Sequence, residues 1–108
     1  MPASQFQTFQ DFWPYYLSEH RLGVSRLLHY FGTISSMLLL GYLISQAAWS
    51  WLWLILPVGY GPAWIGHFFF EKNKPATFKH PLWSLMGDYK MLFLAATGQM
   101  SKELDKLD

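Results

Sequence analysis

The sequence has no cysteine in 108 residues, which removes disulfide stapling and every thiolate metal site. Charge is also scarce. Only 14% of the residues are charged, against 52% apolar and 19% aromatic, too few to cover a water-facing globule and more in keeping with a membrane protein. The scarcity is concentrated, because Leu27 to Phe70 contains no Asp, Glu, Lys or Arg. The N-terminus lacks a basic segment followed by an apolar one, so no leader is expected to be cleaved. There is no internal repeat or low-complexity tract, and no nucleic-acid partner is expected. The length fits a single domain over residues 1–108.

What is present reads as helix. Phe6, Phe9 and Trp13 recur at helical spacing among glutamines from Ser4 onward, predicting a short amphipathic helix that Pro14 kinks or restarts. Trp13, Tyr15 and Tyr16 suit a lipid headgroup interface. A polar connector, Ser18 to Arg26, follows, with Gly23 able to break the helix. Residues 27–46 and 49–70 then form two uncharged runs of the roughly 20 residues that cross a bilayer core. Pro57, Gly59, Gly61 and Pro62 are expected to interrupt the second near its middle. A third helix, residues 82–100, carries Asp88 and Lys90, each costing about 2.5 to 3.5 kcal/mol at mid-bilayer. It is therefore expected at the interface, or with Asp88 tucked against the hairpin, and the tail from Ser101 to Asp108 is expected to be solvated or frayed.

The predicted fold class is all-α: a multi-pass membrane protein whose two-span hairpin is flanked by an N-terminal amphipathic helix and a C-terminal interfacial or spanning helix. Arg21 and Arg26 precede the first span, and Lys72, Lys74 and Lys79 follow the second. The turn between has no charge, so the positive-inside bias places the open end of the hairpin in the cytosol. All four histidines lie at that end. The location is then a bacterial inner membrane or the eukaryotic endoplasmic reticulum, with membrane lipid as a partner and room for a homo-oligomer.

In an antiparallel hairpin that turns near residue 48, His29 and His67 are equally far from the turn and face each other. His20 reaches the same place if the chain folds back at Gly23, and His80 can return through the Lys72 to Lys79 loop. Glu71 is one helical turn from His67. Four imidazoles and a carboxylate suit a first-row metal. Glu71 has two readings, as a metal ligand or as the ion-pair partner of Arg26 at similar depth. Asp88, if docked nearby, orients a ligand imidazole through its second nitrogen, and Arg26, Lys72 or Lys74 can hold a carboxylate.

Three motifs carry a resemblance: Tyr16-Leu17-Ser18-Glu19-His20, Arg26-Leu27-Leu28-His29-Tyr30-Phe31-Gly32, and Gly66-His67-Phe68-Phe69-Phe70-Glu71-Lys72-Asn73-Lys74-Pro75-Ala76-Thr77. Over residues 8–95 the chain resembles the small membrane-protein family that includes the fungal 2-hydroxy fatty acid dioxygenase of phytosphingosine breakdown. The resemblance implies an Fe(II)-dependent enzyme that uses O2 to shorten a 2-hydroxy fatty acid by one carbon, with His20, His29 and His67 as iron-binding residues. His80 rests on local chemistry alone. The expected constellation is thus His20, His29, His67 and His80 at the metal, with Glu71, Arg26 and Asp88 supporting catalysis. The rival reading is a non-catalytic membrane protein that binds lipid headgroups or partner proteins.

Overall fold

The computed structural model describes residues 6–75 and 79–107. Ser4 and Gln5 of the expected first helix, Ala76 and Thr77 of the third motif, Phe78 and the final Asp108 lie outside the described residues. All regular structure among the described residues is helical. Helix α1 spans Phe9–Ser18, α2 Gly23–Ser45, α3 Ile55–Ile65, α4 Pro81–Ala96 and α5 Met100–Asp105, with a 3₁₀ stretch at Trp49–Leu54 and a π-helical one at Gly66–Glu71.

Helix α1 starts where its cap is. Thr8 is extended and its hydroxyl accepts the Asp11 N–H at 3.1 Å, satisfying one of the free donors of the first turn. The helix runs through Pro14 instead of restarting there. Proline removes one backbone bond, and burial of Phe12, Trp13, Tyr16 and Leu17 on one side offsets that loss.

Helix α2 begins at Gly23, four residues earlier than the charge pattern predicts, so Arg26 belongs to the helix and not to the connector. Its 23 residues are about 34 Å long, enough to span a hydrocarbon core. Among the described residues it is the one helix that is long and apolar enough to do so by itself. It ends where Ala47 turns left-handed (φ 50°) and the Ala48 N–H reaches back to the Leu43 carbonyl at 2.9 Å.

The second predicted span is composite. Its changes of pitch fall at the two ends, and Pro57, Gly59, Gly61 and Pro62 lie inside α3 rather than breaking it. Pro57 sits in the first turn, where no backbone partner is lost. The glycines serve contact. A Cβ on Gly32 would stand 2.5 Å from the Gly59 carbonyl oxygen, so the backbones of α2 and α3 touch at this crossing. Further toward the open end, a Cβ on Gly66 would stand 3.0 Å from the Ser25 hydroxyl.

Helix α4 takes Pro81 at its first position and stops at Ala96, short of the expected Met100. Gly98, at φ 75°, turns the chain into α5. The tail is helical rather than frayed: Ser101, Lys102, Asp105 and Lys106 are exposed as expected, while its apolar side docks. Met100, Leu104 and Leu107 pack on the buried cluster of Phe12, Trp13, Tyr16, Leu17, Met91 and Leu94, and the Trp13 indole donates to Glu103 at 3.0 Å. The best-buried part of the molecule is therefore this cap of α1, α4 and α5 at the open end of the hairpin. Both charges of α4 are accommodated: Lys90 lies 4.3 Å from the Trp13 ring centre, and Asp88 is tucked against α1 and α2.

The Gly32 crossing yields a direct test. Gly32→Ala drives a methyl group into a backbone oxygen and should destabilise the fold by about 1 to 3 kcal/mol. Gly41→Ala, with nothing within 4 Å of the new carbon, should be neutral or stabilise by up to about 1 kcal/mol. Unfolding midpoints of the two variants in detergent check the contrast; equal midpoints would refute the close crossing.

Candidate metal centre

Three histidines from three separate segments meet at the open end. His20 follows α1, His29 projects from α2 and His67 from the π-helical stretch, and all three are buried. One ring nitrogen from each lies within 4.8 Å of the other two. His20 Nε2 is 2.9 Å from His29 Nε2, which is 3.2 Å from His67 Nε2.

The other ring nitrogens define the chemistry of this meeting point. His20 Nδ1 is 2.6 Å from the Tyr16 carbonyl, an acceptor only, so this nitrogen carries the proton. His29 Nδ1 faces the Asp88 carboxylate at 3.2 Å and likewise donates. His67 Nδ1 is 2.6 Å from Asn73 Oδ1. The Asn73 amide is oriented by its nitrogen, which donates to the Glu19 carbonyl and carboxylate at 3.1 and 3.2 Å. With each Nδ1 committed to an oxygen, the three rings turn their Nε2 atoms toward one another. Lone pairs on nitrogens this close repel unless a cation, a proton or a metal ion, lies between them. Nitrogens bonded to one ion at about 2.1 Å stand about 3 Å apart when the bonds are near right angles, which fits the 2.9 and 3.2 Å separations of His29 Nε2 from the other two. The set thus fits a first-row metal, and each ligand has the outer hydrogen bond that such ligands require. Burial, reinforced by the neighbouring imidazoles, holds the His20 pKa well below the ordinary histidine value, which keeps that ring neutral.

The remaining residues singled out in the sequence surround this set. Asp88 accepts from both His29 and the Tyr16 hydroxyl through the same oxygen, Oδ1. Burial, followed by the Asp88 charge, pushes the Tyr16 pKa well up and keeps its hydroxyl a donor. Glu71 and His67, expected one turn apart on one face, take different partners, and Glu71 is not part of the three-histidine group. The Glu71 carboxylate accepts the Leu22 N–H at 2.8 Å, capping α2 where no side chain of its own does so. Arg26 Nη1 donates to the carbonyls of His20 and Arg21 at 2.8 and 2.7 Å. Glu71, Arg26 and Asn73 therefore brace the reversal between α1 and α2 that returns His20 to the centre. His80 lies apart from the three-histidine group, stacked on Trp83 at 5.1 Å and edge-on to Phe12 at 5.3 Å.

Sequence reasoning assigned no role to Asn73 or to Tyr16 at the centre. The signals were spacing alone: Tyr16 is one turn before His20, and Asn73 follows His67 by six residues, just beyond a left-handed Lys72 (φ 60°).

The family model described as 2-hydroxy-palmitic acid dioxygenase Mpo1-like matches residues 6–100. The chain belongs to this family. The resemblance carried by the three histidine motifs is thereby borne out, and all three histidines of the centre lie within the Mpo1-like match. Among curated proteins and solved structures, none matches the chain.

The geometry separates ligands from braces by experiment. Asn73→Ala removes the acceptor that orients His67 and should weaken metal binding about 10- to 100-fold. Glu71→Gln keeps an acceptor for Leu22 and should retain the metal, as should His80→Ala. Titration of the anaerobic protein with Fe(II) reads all three; loss of stoichiometric metal in Glu71→Gln would make that carboxylate a ligand.

Proposed function

We propose that the chain is an Fe(II)-dependent dioxygenase that shortens 2-hydroxy fatty acids by one carbon. The observation that carries this reading is the trio of converging Nε2 atoms, in a chain whose family description names a 2-hydroxy acid dioxygenase. Held by His20, His29 and His67, a ferrous ion would have coordination positions free for O2 and a 2-hydroxy acid and would supply the redox chemistry.

The protein's own contribution is orientation and exclusion. His20, His29 and His67 hold the ion through Nε2, while the Tyr16 carbonyl, Asp88 and Asn73 fix the ring planes and keep each Nδ1 protonated. Burial of the three rings keeps bulk water off the ligand set. Lys72 and Lys74 are exposed beside the π segment and draw a fatty carboxylate toward this end. Arg26 has one nitrogen committed to backbone carbonyls, which favours the lysines for that approach.

The same reading embeds the hairpin in a bilayer. Large apolar side chains stand outward along both arms, with Leu38 and Phe69 each 70% exposed and Phe31 64%, a surface far better matched to lipid than to water. Both arms then cross, the centre lies at the cytosolic face, and a substrate brings its head to the metal with its acyl tail directed toward the bilayer interior. A bacterial inner membrane or the endoplasmic reticulum is the corresponding location.

Anaerobic reconstitution should give about one iron per chain, and addition of O2 and 2-hydroxypalmitic acid should yield the acid one carbon shorter. His29→Ala should abolish both. Iron binding without chain shortening would favour the non-catalytic alternative. For topology, a cysteine at Ser50 should react only from the side opposite to one at Lys74, and labelling of both from one side would overturn the two-pass arrangement.

A further inference from the structure

A groove of about 240 Å³ runs between α2, α3 and α4, next to the metal centre but outside it. Asp88 and Thr33 line it beside the centre and Ile55 and Leu56 line it at the start of α3, with Ser36, Gly59, Leu85 and the rings of Tyr60 and Tyr89 completing its walls. Depth follows from the helix. Thr33 is one turn beyond His29 and Ser36 nearly two, so the groove starts at the centre and descends about 10 Å along α2. Leu56 on α3 and Leu85 on the α4 wall are both exposed, so the groove opens where the hairpin would meet hydrocarbon.

Two features specify the occupant. The polarity gradient calls for a molecule with one polar end and an apolar chain, oriented with the polar end toward the histidines. Asp88, which already holds His29 and Tyr16, is an acceptor and can take a further donor at that end; a 2-hydroxyl group is one, and the methylene of an ordinary fatty acid is not. We propose that this groove receives the acyl chain of a 2-hydroxy acid, and that Ser36 and Gly59 set how far the chain reaches. The proposal rests on the activity proposed above. A Cβ on Gly59 would already lie 3.4 Å from Ser36 Cβ, so the width at this point is set by the smallness of these two residues. A larger side chain at either position would close the lower half.

The test uses the full-length iron-loaded protein in nanodiscs and a 2-hydroxy acid bearing a diazirine at mid-chain, with crosslinks mapped by mass spectrometry. Label should fall on Ile55, Leu56 or Leu85 and be suppressed by excess 2-hydroxypalmitic acid. Ser36→Leu should cut groove labelling by at least about tenfold and lower kcat/KM for long acids by a similar factor, while short acids are spared. Leu85→Trp narrows the same groove from α4, so the test holds even if Ser36→Leu fails to fold. Label spread over Leu27, Phe31 and Leu38 without competition would overturn the groove, as would equal, uncompeted groove labelling by a diazirine phospholipid, which would make it a structural lipid site. Competed groove labelling in a protein that shortens no acid would keep the groove and refute the activity. Turnover with label elsewhere would do the reverse.

Discussion

The constraint on which this structure turns is the disposal of three imidazole protons. Each ring gives its Nδ1 hydrogen to an oxygen fixed elsewhere in the fold: a carbonyl of α1, a carboxylate of α4 and an amide beyond the π stretch. Because those oxygens come from three different places, the whole open end of the hairpin must assemble before any lone pair is aimed correctly. The aromatic cap of α1, α4 and α5 is best understood in this light. It is where apolar burial is deepest, and it holds Tyr16 and Asp88 against the centre.

This arrangement also explains why charged side chains cluster around the centre without joining the three-nitrogen set. Glu71, Arg26 and Glu19 all bind or receive backbone and amide groups of the reversal at residues 19–22. A tight reversal beside a helix N-terminus leaves donors and acceptors without intrahelical partners. Charged residues at such a place are explained first by the backbone they satisfy.

Much of this was legible in the sequence, and the parts that were not share a cause. The uncharged length from Leu27 to Phe70 dictates a hairpin, a hairpin dictates depth, and equal depth pairs His29 with His67. The fold-back that brings in His20 follows from Gly23 opening α2. The π turn was hidden because Phe68, Phe69 and Phe70 are alike and carry no period, and the bond from the Leu22 N–H to Glu71 was not legible because its partner is 49 residues away. Asn73 was missed because its role depends on that turn. Docking of the tail was hidden by its charges: Met100, Leu104 and Leu107 are spaced for one face of a helix, yet Lys102, Glu103 and Asp105 between them read as solvent.

The π segment makes the number of residues in this stretch as informative as their identity. Between His67 and Asn73 the chain makes one wide turn, closed by the Asn73 N–H on the His67 carbonyl at 2.9 Å, so backbone and side chain of Asn73 both grip the same histidine. Removing any one of the three phenylalanines would tighten the turn toward α-helical pitch and swing Asn73 through about 100°. Every residue with a role would still be present, and the grip would be gone. Spacing in this stretch is therefore under a stricter rule than composition, whereas the 3₁₀ arm at the opposite end, with no buried residue, leaves its length free to drift.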